Sequence, residues 1–433
     1  MTPPDIVLAH CHDLGDWLSC YRMPSVPSPS LERFAAESVV FDNAFATAPL
    51  CSPARASLFT GTSPHVNGIQ GLAHAGWRYR PGVRTLPELM SGAGYRSVLV
   101  GLQHEHTDPT VLGYDEVIGA GFLPRALPMA AMAEEYLRDR TTSPGARQPM
   151  LMVTGTWEVH RPWPPEDYRP ADPDRVDVPE FLPDNAHTRA DIAAFHGSIR
   201  QLDTAFGRLL HAIDRYTDPQ NTLVIFTADH GAPFPRAKGT LYDPGVRVAL
   251  LVRPPRRWQV PAGRRSMLVS HLDVIPTLLD AAHVTPPPWL EGTPLPLDAD
   301  APLDADAPHA DDRALFLEKT YHDGYDPIRA IRTRRHKLIR NFLPATPPPI
   351  SKDLANSPTR KGMRDADFPP RPAIELYDLD TDPAERVNLA DDPTHTAIRD
   401  TLNDQLSEHM RITADPLLDG PVPPPAPPSR STA

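Results

Sequence analysis

Four short apolar runs along the chain are each followed by histidine or aspartate. The runs cover residues 6–9, 97–100, 150–154 and 222–227. Runs of this length and composition are typical of buried strands in a mixed sheet. The polar segments begin one to three positions after each run, at 10–13, 103–106, 157–160 and 229–231. Because ligand sites in α/β sheets lie at the carboxyl ends of strands, the pattern predicts one site that these segments share.

Apolar residues at helical spacing lie between these strands. They cover residues 30–37, 86–93 and 190–216, and the last segment repeats its apolar positions on one side. Gly94 follows the second segment and is a plausible helix stop. Strands alternating with helices predict an α/β fold, in which a large mixed β-sheet is sandwiched by helices.

The chain changes character after residue 291. The sequence PLDADA stands at 296–301 and again at 302–307, which is typical of an acidic, proline-rich linker. Strand-like runs follow at 314–317 and 337–340, whereas 343–363 has a loop-like pattern. We therefore expect a large α/β domain at 1–291, a linker at 292–312, a smaller C-terminal α+β domain at 313–416 and a disordered tail at 417–433.

Composition narrows the range of partners. The net charge of -12 argues against nucleic acid, because a phosphate backbone attracts basic surfaces. No apolar run approaches the roughly 20 residues of a membrane span, and the first residues show no signal-peptide pattern. We therefore expect no membrane partner and a cytoplasmic location. The three cysteines form no disulfide framework, although a Cys11–Cys20 pair stays open.

Cys51 opens a predicted helix, and this position allows two interpretations. A helix N-terminus lowers the pKa of a thiol, so Cys51 could be an activated nucleophile. A lone cysteine is more often a buried structural residue. Spacing alone does not decide between them.

The residues that follow Cys51 are more specific. Cys51-Ser52-Pro53-Ala54-Arg55, continued by ASLFTG, resembles the signature of type I sulfatases. The resemblance implies an alkaline phosphatase-like fold. It also implies that a formylglycine-generating enzyme converts Cys51 to formylglycine, and that Arg55 supports the new group.

The same resemblance implies one divalent metal. Asp13 matches one aspartate of the family's opening pair, and His12 stands where the other aspartate is usual. Asp229 and His230 match the second metal pair. Calcium is the family's usual ion and prefers oxygen ligands, whereas the imidazole of His12 softens that preference. Manganese, magnesium and zinc therefore stay open.

Three further positions match the family's catalytic motifs. Lys238 begins KGTLYDPGVR, which resembles the element whose lysine contacts sulfate. His104 matches the histidine of the Gly-Lys-Trp-His motif and is the expected base, but Leu102 replaces the lysine of that motif. His160 resembles the histidine near the leaving group and is the expected acid.

Motifs in the C-terminal part of the chain indicate which branch of the family it resembles. Residues 375–379, ELYDL, resemble the signature of the small C-terminal domain. Residues 319–322, KTYH, are similar to the heparan N-sulfatase (sulfamidase) branch, in which His322 would reach the substrate pocket; a surface strand residue is the other interpretation. The resemblance thus implies a sulfatase that hydrolyses a small-molecule or saccharide sulfate ester or a sulfamate.

Other functions stay open at this stage. A phosphonate monoester or phosphodiester hydrolase would share the fold, the metal and the nucleophile. A non-catalytic homologue that binds sulfated ligands fits the loss of the lysine at position 102. A thiol-based hydrolase would need Cys51 to stay unmodified, and a cofactor-independent alkaline phosphatase would need serine or threonine there.

Overall fold

The computed structural model describes residues 2–21, 23–120, 124–143, 148–298 and 313–425. The strands within these ranges are β1 (Asp5–Cys11), β2 (Val39–Phe45), β3 (Arg96–Gly101), β4 (Glu116–Ile118), β5 (Met150–Gly155), β6 (Thr222–Ala228), β7 (Leu250–Arg253), β8 (Gly263–Ser270), β9 (Leu315–Tyr321), β10 (Tyr325–Arg332), β11 (His336–Asn341) and β12 (Ile374–Asp378). The α-helices are α1 (Pro29–Ala36), α2 (Cys51–Thr60), α3 (Pro64–Asn67), α4 (Leu86–Gly92), α5 (Ala126–Arg140), α6 (Ala186–Tyr216), α7 (Asp243–Val246), α8 (Val274–Ala281), α9 (Lys352–Ala355), α10 (Pro358–Lys361) and α11 (Thr396–Ile412).

A mixed sheet with the strand order β4-β3-β5-β1-β6-β7-β2-β8 forms the larger part of the fold. The four strands predicted from the apolar runs are neighbours in this sheet and run parallel, as β3-β5-β1-β6. Strand β7 is antiparallel to both of its neighbours. The carboxyl ends of β3, β5, β1 and β6 therefore meet at one edge, as the pattern predicted.

Helix α6 covers the sheet with the apolar side that its sequence shows. Ile192, Phe195 and Ile199 are among its buried residues. The helix begins four residues before the predicted start, because the Asn185 side chain accepts a hydrogen bond from the Thr188 N–H and caps it. The fold is thus the predicted α/β type. No helix in the part of the chain described here is long and apolar enough to cross a membrane.

A separate antiparallel sheet, β12-β11-β10-β9, lies in the C-terminal part and includes the predicted strands 314–317 and 337–340. Helix α11 buries Leu402, Leu406 and Met410 against this sheet. On its other side, Leu317 and Ile328 join Phe45 of the large sheet in one apolar cluster. This shared cluster joins the two sheets, so side chains from both can border one cavity.

Parts of the predicted division lie outside the described residues, namely 299–312 of the linker and 426–433 of the tail. The described part of the tail packs on the fold: the Val422 N–H donates to the Tyr325 hydroxyl, and the Tyr321 hydroxyl donates to the Val422 carbonyl. The segment predicted as a loop, 343–363, contains α9 and α10. Cys11, Cys20 and Cys51 are free thiols, so the open Cys11–Cys20 pair does not form.

Candidate active site

The site lies at the edge where β3, β5, β1 and β6 end, and α2 brings Cys51 to it. Every residue of α2 is buried, and Gly61 ends the helix in the left-handed conformation that favours glycine. Leu50 is extended and accepts the first helical hydrogen bond from Ala54. Cys51 is therefore the first residue of a fixed helix, with the free N–H groups of the first turn around it.

Five side chains form what we call the catalytic cluster: His12, Asp13, Cys51, Asp229 and His230. All five are buried, and one possible ligand atom from each lies within 4.8 Å of those of the others. Asp13 Oδ1 lies 2.8 Å from His12 Nδ1 and 3.0 Å from His230 Nε2. Cys51 Sγ lies 3.4 Å from His230 Nε2 and 4.0 Å from Asp13 Oδ1. The predicted metal ligands and the predicted nucleophile therefore share one centre.

The charges around Cys51 favour its anionic form. Burial alone would raise the pKa of the Cys51 thiol, but His12, Lys238 and His230 outweigh it and hold that pKa well below its usual range. Burial would likewise lower the pKa of His12, yet Cys51, Asp229 and Asp13 raise it to about 9. The centre thus stabilises negative charge at the atom carried by residue 51.

The donor atoms of the cluster fit a divalent metal. Two carboxylates and two imidazoles surround the centre, and both atom types bind such ions. His12 Nδ1 lies 2.8 Å from Asp13 Oδ1 and 3.4 Å from Asp229 Oδ2, so the ring lies within the cluster. Its Nε2 is buried and has no hydrogen-bond partner among the described residues. A buried ring nitrogen without a partner is costly unless a ligand such as a metal ion satisfies it.

Arg55 lies beneath the centre and is fully buried. Its Nη2 is 3.0 Å from Asp229 Oδ2 and 3.3 Å from the Cys11 carbonyl, and its Nη1 contacts His10 Nδ1. Burial and Arg55 both lower the pKa of His10, which keeps that imidazole neutral. Arg55 thus holds a positive charge next to the metal ligands and close to the start of α2.

Lys238 links the cluster to the cavity. Its Nζ lies 2.6 Å from Asp13 Oδ2, 2.7 Å from Asp353 Oδ2 and 3.2 Å from His160 Nε2. Burial opposes its charge, but Asp13 and Asp353 raise the pKa of Lys238 above its usual range. Lys238 is therefore a fixed cation with an acceptor near each of its three N–H groups.

His160 is held in one orientation. Its Nδ1 faces the Arg161 carbonyl, so this nitrogen donates, and its Nε2 faces Lys238. Arg161 is itself fixed by two hydrogen bonds to Asp191. Burial and Lys238 lower the pKa of His160 to about 4. The imidazole is therefore neutral near pH 7, and its Nε2 accepts a hydrogen bond from Lys238.

The cluster opens into a cavity of about 790 Å³. The predicted residues His104 and His322 both line it, as does Leu102 at the position of the missing lysine. His104 interacts with Cys51 and contacts His74 Nδ1 through its Nε2 at 3.4 Å. All predicted site residues thus lie in the cluster, beside it or on the cavity wall. Lys352, whose side chain is 88% exposed, is a lining cation that the sequence analysis did not assign.

Two polar residues of the site were missed. Asp353 lies in the segment predicted as a loop, and its contact with Lys238 spans 115 positions along the chain. His10 stands directly after the apolar run that predicts β1, and its partner Arg55 is 45 positions away. No local pattern marks either residue, apart from the position of His10 at a strand end.

Comparison with known proteins agrees with this geometry. The sulfatase family profile matches residues 4–284. The chain is 30% identical to N-sulphoglucosamine sulphohydrolase of Homo sapiens, over 97% of this chain and 92% of that protein. It resembles the structure of BT4656 in complex with D-glucosamine-2-N,6-O-disulfate, with a TM-score of 0.72, 18% identity and coverage of 97% and 99%. The phosphonate monoester hydrolase of Agrobacterium radiobacter has a similar fold, with a TM-score of 0.69, 19% identity and coverage of 96% and 97%.

Proposed function

Since the chain belongs to the sulfatase family and is therefore a hydrolase of sulfate esters or sulfamates, we propose that it acts through formylglycine made from Cys51 and one divalent metal. One observation carries the proposal: Cys51 Sγ lies in a buried centre of two carboxylates and two histidines that opens into a cavity. A structural cysteine would have no need for such surroundings. A sulfated amino sugar is the proposed substrate, because the relative with 30% identity is named for one.

Formylglycine at position 51 supplies, as its hydrate, a nucleophilic oxygen and a second hydroxyl that lets sulfate leave when the carbonyl re-forms. Cys51 is only 3% exposed and belongs to a fully buried helix. A formylglycine-generating enzyme, the proposed maturation partner, could reach it only before the chain folds. The burial also protects the reactive group from other molecules.

His12, Asp13, Asp229 and His230 would hold the metal. The ion supplies a Lewis acid that polarises a sulfate oxygen and favours the deprotonated nucleophile. Calcium is the proposed ion because of the two carboxylates, whereas the two imidazoles make the site tolerant of manganese, magnesium or zinc.

The fixed cations stabilise the charge that develops on the sulfuryl oxygens. Lys238 borders the cavity, and Arg55 lies next to Asp229 at the start of α2. Neither side chain has to reorganise when the substrate reacts, which makes such charges effective in a buried site.

Two histidines move protons in the proposed reaction. His160, which lines the cavity, takes up a proton from water at Nε2 and passes it to the leaving atom, while Lys238 keeps its charge. His104, whose pKa is lowered by burial, is neutral and accepts the proton that the second hydroxyl loses. The bond from sulfur to the leaving atom breaks with its electron pair on that atom, and the proton from His160 neutralises it.

The test uses the variant Cys51→Ser. A serine can take up the sulfuryl group but has no second hydroxyl to expel it. We therefore expect N-sulfoglucosamine to add one sulfuryl mass to residue 51 in a single turnover. Repeated turnover by this variant would reject the proposed mechanism. With formylglycine present, faster hydrolysis of a matched phosphonate monoester than of the sulfate would instead support the phosphorus-ester alternative, and binding without turnover would support a non-catalytic homologue.

A further inference from the structure

Part of the cavity wall comes from the C-terminal sheet and the loops beside it. His322 and Asp323 lie in the turn between β9 and β10, and Lys352 and Asp353 begin α9. Asp353 reaches furthest toward the reacting atoms, because it contacts Lys238 directly. The proposed reaction gives this carboxylate no role of its own.

The surroundings of Asp353 fix its direction. Asp323 Oδ2 accepts the Lys352 N–H at 2.9 Å and lies 3.0 Å from His322 Nδ1. One residue further along α9, Leu354 is buried and anchors the short helix. The turn between β9 and β10 therefore holds the start of α9 in place, and Asp353 points into the cavity from a supported position.

Of the three acceptors around Lys238, Asp353 is the one that a substrate can displace. Asp13 is fully buried and belongs to the catalytic cluster. The ring of His160 is fixed through its Nδ1. The Asp353 side chain is 19% exposed and lines the cavity. A sulfate oxygen that binds Lys238 therefore takes the place of an Asp353 oxygen.

An Asp353 oxygen that gives up Lys238 needs another donor. A carboxylate offers acceptors only, and the sulfuryl group that replaces it on Lys238 is also an anion without a hydrogen. Water can supply this donor in the cavity, but only the leaving part of the substrate supplies one that differs between substrates. A sulfamate carries an N–H on the atom bonded to sulfur, whereas the bridging oxygen of a sulfate ester carries no hydrogen.

We propose that Asp353 is a specificity-determining residue that accepts a hydrogen bond from the N–H of a sulfamate and so favours sulfamates over sulfate esters. This inference rests on the proposed function, because it concerns the leaving group of the same reaction. Asp353 belongs to the part of the chain outside the family profile, which ends at residue 284. The proposal therefore assigns substrate selection to the C-terminal part of the chain and the reaction chemistry to residues at the edge of the large sheet.

The test compares two substrates in two variants that carry formylglycine. Asp353→Asn replaces the charged acceptor with a neutral amide and so weakens the hydrogen bond to the substrate N–H. We expect kcat/KM for N-sulfoglucosamine to fall roughly 10- to 100-fold, the range for a hydrogen bond to a charged group. For 4-nitrophenyl sulfate, which has no N–H, we expect kcat/KM to change less than about threefold. The control Asp365→Asn removes the same charge from an exposed position of the same segment and leaves both values unchanged.

Several outcomes would overturn the inference. An equal fall with both substrates would mean that Asp353 acts only by holding Lys238. No change with either substrate would mean that it has no part in selection. If Asp353→Asn does not fold, the wild-type protein decides: it should hydrolyse N-sulfoglucosamine at least about tenfold faster than the N-methyl sulfamate, and equal rates reject the inference. Turnover of the aryl sulfate in the same preparations tests the proposed function separately.

Discussion

The catalytic cluster and a second buried cluster contain the same kinds of side chain. They differ in whether polar atoms without a hydrogen-bond partner within the protein face a cavity. We call the second one the joint cluster; it consists of His65, Glu318, Arg329 and Asp415, all at most 5% exposed. His65 lies in α3, whereas Glu318 and Arg329 lie on β9 and β10. The joint cluster thus connects α3 to the C-terminal sheet.

Both carboxylates of the joint cluster accept hydrogen bonds from neighbouring residues. Asp415 accepts two hydrogen bonds from Arg329, and Glu318 accepts from both the backbone and the ring of His65. None of the four residues lines the cavity. In the catalytic cluster, His12 Nε2 has no hydrogen-bond partner among the described residues, and His12 lines the cavity. Burial of acids and histidines is therefore no sign of a site by itself; unsatisfied atoms that face a cavity are.

The largest expected effect is the loss of activity in Asp13→Asn. The change removes a metal ligand and the charge that fixes Lys238, so turnover should fall at least roughly a thousandfold, which corresponds to several kcal/mol of transition-state stabilisation. Stability should fall less than turnover, because Lys238 keeps Asp353 as a charged partner and the amide still accepts one hydrogen bond. The measurement is kcat together with chemical denaturation. Asp419→Asn, at an exposed position, is the control. A variant of Asp13 that retains turnover would refute the assignment of the cluster.

Glu318→Gln should have the opposite profile. It leaves the buried His65 side chain without its charged partner, while Arg329 keeps Asp415, and this costs about 3 kcal/mol of unfolding free energy. The kcat of the folded fraction should stay within about twofold of the wild type, since Glu318 does not line the cavity. Denaturation and the number of active sites, measured on one preparation, check this. A fall in kcat without a fall in stability would make the joint cluster part of the site.

Acid should destabilise the protein through the joint cluster. Burial would raise the pKa of Glu318, but His65 and Arg329 outweigh it and lower that pKa to about 2, from 4.5. A lowered carboxyl pKa contributes stability that is present above pH 4.5 and is lost as the pH falls toward 2. The loss amounts to about 3 kcal/mol at 1.36 kcal/mol per unit. Unfolding free energies between pH 6 and pH 3 should therefore fall more steeply in the wild type than in Glu318→Gln, and parallel curves would contradict this.

Features that arise from neighbouring residues could be predicted from the sequence, whereas features that arise from contacts between residues far apart in the chain could not. The four parallel strands and the residues after them follow from local patterns, and so does Cys51 at the start of α2. Asp353 could not be predicted, because its role depends on a contact with Lys238 that the packing of the C-terminal sheet creates. The joint cluster could not be predicted either, because Glu318 lies within a strand and its partner His65 is 253 positions away in the sequence. Long-range contacts between two units leave no periodic signal.

The smallest expected effect concerns the identity of the metal. His12→Asp restores a second adjacent carboxylate and should raise the preference for calcium over manganese by about tenfold, because calcium favours oxygen ligands. The measurement is the rise in unfolding temperature as each ion is added to metal-free protein, since a bound ligand stabilises the folded state. An unchanged ratio between the two ions would show that His12 does not bind the metal.

The most direct measurement relates activity to the modification of Cys51. Preparations with different fractions of formylglycine, determined by mass spectrometry of the peptide that contains residue 51, are compared in sulfate release from N-sulfoglucosamine. The account predicts a straight line through the origin, with all turnover carried by the modified fraction. Substantial turnover in fully unmodified protein would contradict it and make the Cys51 thiol itself the nucleophile.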